Sequence, residues 1–116
     1  MARVVAVFDD LLLGSNVLGM LRAGGHEATL VGNVADARPG GADVLVIDLG
    51  TEGFDGVQVV TALRERGELG STRTLGVYSH VHHDVKVRAE GAGFDLVVPR
   101  SRMAREGAAL VERLAS

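Results

Sequence analysis

Two short apolar runs rich in β-branched residues stop at carboxylates: Val4-Val5-Ala6-Val7-Phe8 at Asp9-Asp10, and Val44-Leu45-Val46-Ile47 at Asp48. An unbroken apolar run bounded by charge fits a strand buried on both faces, as in the middle of a parallel sheet. The segments between such runs read as helices. Ser15 is placed to cap a helix running to about Arg22, with Val17, Leu18 and Leu21 on its inner face and Gly24-Gly25 ending it. Residues 28–31 form a second short strand. Only about ten residues, Asn33 to Ala42, then precede the strand at 43–48, and they include Pro39-Gly40-Gly41; that gap holds one or two helical turns at most.

After Asp48, glycines 50, 53 and 56 punctuate a loop, and Val57, Val60 and Leu63 repeat at helical spacing up to Gly67. Residues 75–78 read as a fourth strand, 84–90 as a short helix and 95–98 as a fifth strand before Pro99. Gly107, Leu110, Val111 and Leu114 give a last helix its inner stripe. Strands alternating with helices predict a three-layer α/β/α sandwich around a five-stranded parallel sheet. Right-handed crossovers favour the flavodoxin-like order 2-1-3-4-5, whose ligand crevice lies between strands 1 and 3. In that order the strands ending at Asp9 and Asp48 are neighbours, about 4.8 Å apart, so three acids meet at one sheet edge.

Composition narrows the function. A chain of 116 residues supports one core, so residues 1–116 read as a single domain with no output domain attached. The absence of cysteine excludes disulfides, thiolate zinc sites and a cysteine nucleophile. Net charge is −3 with no basic block, and aromatics are 3%, which argues against nucleic-acid binding. The N-terminal apolar run is too short for a signal-peptide core or a membrane span, giving an expectation of a cytoplasmic, non-membrane protein.

Three carboxylates crowded together repel, and one protonates unless a cation is present. Mg²⁺, which takes one or two carboxylates and completes its shell with water and phosphate oxygens, is the hard-ligand candidate. A carboxylate beside it is a plausible nucleophile toward phosphorus, and Asp48 is the central one. The competing explanation is that acids end strands wherever the chain meets water.

The run Asp48-Leu-Gly-Thr-Glu-Gly-Phe-Asp55-Gly56 resembles the phosphoacceptor segment of response-regulator receiver domains, the CheY-like family, and Phe8-Asp9-Asp10 resembles that family's paired acids after the first strand. The resemblance spans the chain in element order. It implies a phosphoacceptor at Asp48, with Mg²⁺ held by Asp9, Asp10, Asp48 and the Gly50 carbonyl. It also implies that Ser79 hydrogen-bonds the phosphoryl group, and that a histidine kinase or small-molecule donor supplies it. Contacts and dimers in that family use the face of its fourth helix, fifth strand and fifth helix. Here that face would carry Lys86, Arg88, Arg102 and Arg105 and fit an acidic partner, though ordinary solvation also explains these charges.

The departures are specific. Pro99 falls on the family's phosphate-reading lysine, and the chain's one lysine, Lys86, lies in another segment. Arg100 is one residue late, and strand alternation would aim it elsewhere unless Pro99 bends the chain. Glu52 stands where the family commonly has proline and adds negative charge. Leu96 fills the aromatic switch position, and the second helix is shortened to almost nothing. His80 replaces a small residue and is placed to cover or tune the acid pocket. His80, His82 and His83, with Asp84, lie on one loop, and contiguous residues seldom converge on a metal.

No Gly-x-Ser-x-Gly elbow, dinucleotide fingerprint or Walker A motif is present, so no catalytic residues are assigned and no enzyme is expected. The leading expectation is a single-domain receiver-like signalling or adaptor protein with a degenerate site at Asp48. A working Mg²⁺-dependent phosphoacceptor remains open. So does a small flavodoxin-like ligand-binding domain or enzyme using the same crevice.

Overall fold

Apolar alternation along the chain becomes a sheet with a core on each side. The structure is a computed structural model that describes Met1–Ser116, apart from the side chain of Val34. Along these residues run β1 (Arg3–Val7), α1 (Leu11–Ala23), β2 (Glu27–Val31), β3 (Val44–Asp48), α2 (Gly56–Glu65), β4 (Arg73–Tyr78), α3 (His83–Gly91), β5 (Leu96–Pro99) and α4 (Arg100–Ala115). All pairings are parallel, in the order β2-β1-β3-β4-β5. This is the expected flavodoxin-like sandwich.

The central strand β3 is buried throughout, and its side chains alternate between two cores. Val44 and Val46 join Val4, Ala6, Phe8, Leu75 and Val77 beneath α1 and α4. Leu45 and Ile47 join Val7, Tyr78 and Val97 beneath α2 and α3. Each such side chain stabilises the fold by about 1.5–3 kcal/mol when fully buried, and a one-residue slip of β3 would exchange its two faces.

Between β2 and β3 the chain makes one 3-10 turn, Val34–Asp36, in place of a helix. Asn33 organises it: its Oδ1 accepts from the Asp36 N–H at 3.0 Å, and its Nδ2 donates to the Asp36 carboxylate at 2.9 Å. Thr72 donates its hydroxyl to the Ala42 carbonyl at 2.8 Å, tying the rest of the segment down. Residues Glu27 and Thr29 of the edge strand β2 are exposed and polar, so the missing helix leaves no broad apolar surface uncovered there.

Two expectations need correction. Ser15 does not cap α1. Asp10 does, its Oδ1 accepting the N–H groups of Leu12 and Leu13 at 3.0 and 3.1 Å. Asp is as good a cap as Ser, and at this position it starts the helix a full turn earlier, directly after β1. The last helix also starts earlier than its apolar stripe indicated. Pro99 ends β5 in extended backbone, and Arg100 is already the first residue of α4. No helix is long and apolar enough to cross a membrane among the described residues.

Candidate functional site

Asp48 ends β3 with no exposed surface. A carboxylate so placed needs partners, and it has two. Its Oδ1 accepts the Gly50 N–H at 2.9 Å, and the Arg100 Nη2 lies 3.3 Å from both carboxylate oxygens. Register explains the reach. Asp48 pairs with Val77 and Val77 with Val98, so Arg100 stands two residues farther along, one strand beyond β4. Its side chain crosses the end of β4 to meet Asp48. The condition set for Arg100, a bend at Pro99, is met: the strand stops at Pro99 and the backbone turns into α4 at Arg100. A guanidinium therefore occupies the neighbourhood expected to lack a cationic partner.

Gly50 lies at the centre of this arrangement. A Cβ there would stand 3.1 Å from the Arg100 Nη2, 3.4 Å from the Ser79 nitrogen and 3.5 Å from the Asp48 Oδ1. Asp48, Arg100 and the backbone of Gly50 and Ser79 are thus close neighbours. Ser79 is half-buried and its carbonyl accepts the His82 N–H at 2.8 Å.

The acid pair takes different work. Asp10 spends Oδ1 on the α1 cap. Asp9 accepts the Thr51 hydroxyl at 3.0 Å, and the same hydroxyl oxygen accepts the Gly53 N–H at 3.0 Å. Gly53 packs against Asp9 so closely that any Cβ would lie 2.8 Å from its Cγ. Among the described residues no three His, Asp or Glu side chains form a group able to hold a metal ion. Asp9, Asp10 and Asp48 each have hydrogen-bond partners within the chain. Asp48 faces a guanidinium and Asp10 a helix terminus.

The other expected residues lie around the rim. His80 is exposed and takes no part in Asp48's hydrogen bonds. Glu52 is exposed and lines a cleft with Phe54, Val85 and Arg88. His80, His82 and His83 are all exposed. Pro99 is half-buried and pairs with Tyr78.

Asp55 does more than mark a motif. It caps α2, accepting the Val57 and Gln58 N–H groups at 3.1 and 3.2 Å, and its other oxygen takes the Arg88 Nη2 at 3.0 Å. Burial opposes ionisation of this carboxyl. The Arg88 hydrogen bond and charge, with the two backbone N–H groups, outweigh it and hold the pKa below the ordinary aspartate value. An Asp directly before a helical apolar repeat is a cap signal, so this role was readable. The Thr51–Asp9 contact was not, because it depends on the loop's path. Gly56 follows for a steric reason: a Cβ would meet Leu49 at 2.7 Å and the Asp48 carbonyl at 3.1 Å.

Solved structures share this arrangement of elements. The receiver domain of Francisella response regulator 1452 superposes with a TM-score of 0.85 at 18% identity, over 99% of this chain and 97% of that one. The fold is the receiver fold. The receiver domain of the putative response regulator NarL from Mycobacterium tuberculosis gives 0.81 at 24% identity, covering 98% and 95%. The Vibrio cholerae chemotaxis protein CheY4 gives 0.82 at 20%, covering 98% of each chain. The sequence matches no family model and no curated protein. The receiver-like layout thus reaches almost from end to end, with Asp48 at the sheet edge where its sequence pattern placed it.

Proposed function

We propose that this receiver-fold chain is a signalling or adaptor module that acts through protein–protein contacts, with Asp48 serving as Arg100's ion-pair partner and not as a phosphoacceptor in regular use. The observation that carries this reading is the pair itself. Asp48 has no exposed surface, both its oxygens face the Arg100 Nη2, and a backbone N–H fills a further acceptor position. A nucleophilic carboxylate has to meet its electrophile, and this one is enclosed and neutralised by the chain's own cation.

Contacts would use the face of α3, β5 and α4. Of the basic groups expected there, Arg88 pairs with Asp55, while Arg102 and Arg105 both lie within 4 Å of Glu106, at 3.4 and 3.7 Å. Apolar surface is more available: Val81 is 70% and Val87 59% exposed. Partners on this reading are another signalling protein, a histidine kinase among them, or a second copy of the chain.

One observation favours a second reading. The guanidinium beside Asp48 is also placed to neutralise phosphoryl oxygens, which would make Arg100 a stand-in for the missing lysine. The two readings part in one experiment: incubation with Mg²⁺ and acetyl phosphate or beryllofluoride, followed by intact mass and by NMR of Asp9, Asp10 and Ser79. The expected result is no adduct and no shift. A phosphoryl adduct that disappears in Asp48→Asn would overturn the proposal in favour of a working acceptor.

A further inference from the structure

Strand β2 closes one side of the sheet and pairs with β1 alone. The Glu27 N–H donates to the Ala2 carbonyl at 2.8 Å, and the Val31 carbonyl accepts the Phe8 N–H at 3.1 Å. In a parallel pair, alternate residues turn both backbone groups to the same neighbour, so Glu27, Thr29 and Val31 serve β1. Ala28 and Leu30 therefore point their N–H and C=O groups outward. One of these is taken: the Arg22 guanidinium donates to the Ala28 carbonyl from Nε and Nη2, at 3.3 and 3.0 Å. The others have no partner among the described residues. An open row of this kind is a template for a further strand.

Helix α1 runs along this edge in the opposite direction. A Cβ on Gly32 would stand 3.6 Å from the Leu11 Cδ2, a Cβ on Gly14 would stand 2.9 Å from the Leu30 Cδ1, and Arg22 reaches Ala28. Helical spacing puts Leu11, Leu18 and Arg22 on one flank, where Leu11 is 62% exposed and Leu18 half-buried. The ends of the helix carry opposite charge. Asp10, exposed, precedes the first turn. Arg22, also exposed, lies in the last and makes no ion pair among the described residues.

We propose that this edge joins two copies of the chain about a two-fold axis at Thr29, with β2 paired antiparallel to β2. The outward groups match in that register. Ala28 stands opposite Leu30 of the second copy and Leu30 opposite its Ala28, each pair exchanging both N–H···O bonds. Thr29 faces its own mate, a favourable cross-strand pair, and Glu27 stands opposite Val31, so like charges do not meet directly. The axis also lays the two α1 helices side by side with their ends exchanged. Arg22, released from the Ala28 carbonyl as the new strand takes it, meets Asp10 of the second copy at the carboxylate oxygen its cap leaves free. Leu11 and Leu18 close against the matching flank. Arg22 thus covers the edge of a single chain and ties the ends of the pair. A two-fold contact uses the same patch on both copies and stops at two. It lies at the opposite side of the sheet from β5, so it does not depend on the contacts proposed for α3, β5 and α4.

The test follows the full wild-type chain by sedimentation equilibrium and by amide hydrogen exchange, from dilute solution up to about 1 mM. A dimer is expected, and as it forms the Ala28 and Leu30 N–H groups should become protected, while those of Glu27, Thr29 and Val31 are protected throughout. Thr29 is exposed in the single chain, so substitution there tests the pairing with little effect on the fold. Thr29→Asp sets like charges against each other on the axis and should weaken the dimer roughly tenfold. Mixing it with Thr29→Lys should restore pairing, because on a two-fold axis each residue meets its own counterpart. A chain that stays monomeric at about 1 mM would overturn the proposal. So would a dimer in which Ala28 and Leu30 stay open to exchange, which would place the contact on another face. A Thr29→Asp and Thr29→Lys mixture no tighter than Thr29→Asp alone would overturn the register.

Discussion

A carboxylate without exposed surface needs a facing charge, and at Asp48 the charge comes from the residue whose contact was hardest to foresee. Asp48 itself was legible, because a charge closing an unbroken apolar run can only sit at a strand end. Arg100 was visible as a basic residue near β5, yet its contact depends on the single position where strand becomes helix. One residue's difference in that handover decides whether period-two or helical geometry aims the side chain. Breaking a buried ion pair by removing one partner costs about 3–5 kcal/mol. With the Arg100 side chain 34% exposed, solvent screens part of the loss, so Arg100→Ala should lower the unfolding free energy by about 2–3 kcal/mol. Asp48→Asn should cost less, since it removes the charge that needs a partner. In the double variant the arginine truncation should then cost roughly 1 kcal/mol or less. Urea denaturation of the four proteins closes this cycle. Strictly additive losses would mean that the two groups do not interact in solution.

Elements differ in how firmly they are tied. Helices α1 and α4 each bury a row of side chains, while α3 buries only Ala89 and its N-cap residue, His82, makes no side-chain capping bond. The helical run at 84–90 was readable from its flanking turns, but its weak anchoring follows from packing, which a single sequence does not display. Its firmest polar link is the Arg88–Asp55 pair, which joins it to the cap of α2. The pKa of Asp55 is lowered in the folded chain, so its contribution to stability is fully present above the unfolded aspartate value, roughly pH 4. It is lost as pH falls through the lowered folded value. Both groups are substantially exposed, so the effect is a fraction of a kcal/mol. Asp55→Asn keeps a capping side chain and removes the titration. Its stability at neutral pH should fall slightly, and its stability curve below about pH 4 should be flatter than that of the wild type. Parallel acid titrations of the two proteins by circular dichroism measure this. Identical slopes would show that the Arg88 link carries no charge effect.

At the scale of the whole molecule, alternation of runs and helical repeats sufficed for the layer order and strand order, because parallel strands buried on both faces have few right-handed windings. What joins the chain's ends across that winding was not legible. His26, a lone histidine after Gly24-Gly25, carries no pattern, yet it is buried beneath the last helix. The Ala2 N–H donates to its Nδ1 at 3.1 Å, which leaves the proton on Nε2, donating to the Ala108 carbonyl at 2.9 Å. One ring thus ties the start of β1 and the turn after α1 to α4, with Ala108 82 positions along the chain from His26. His26→Phe keeps the bulk and removes both bonds, stranding the Ala2 N–H in a buried position. An unpaired buried donor costs about 1–3 kcal/mol, so the urea midpoint should fall with an unchanged slope. The chain's one tyrosine, Tyr78, reports on the core of the opposite face, beneath α2 and α3. If the sheet couples both cores into one cooperative unit, tyrosine fluorescence and circular dichroism should shift together in the variant. A variant whose fluorescence transition stays in place while its helix signal moves would show instead that the two faces unfold separately, with His26 closing only its own.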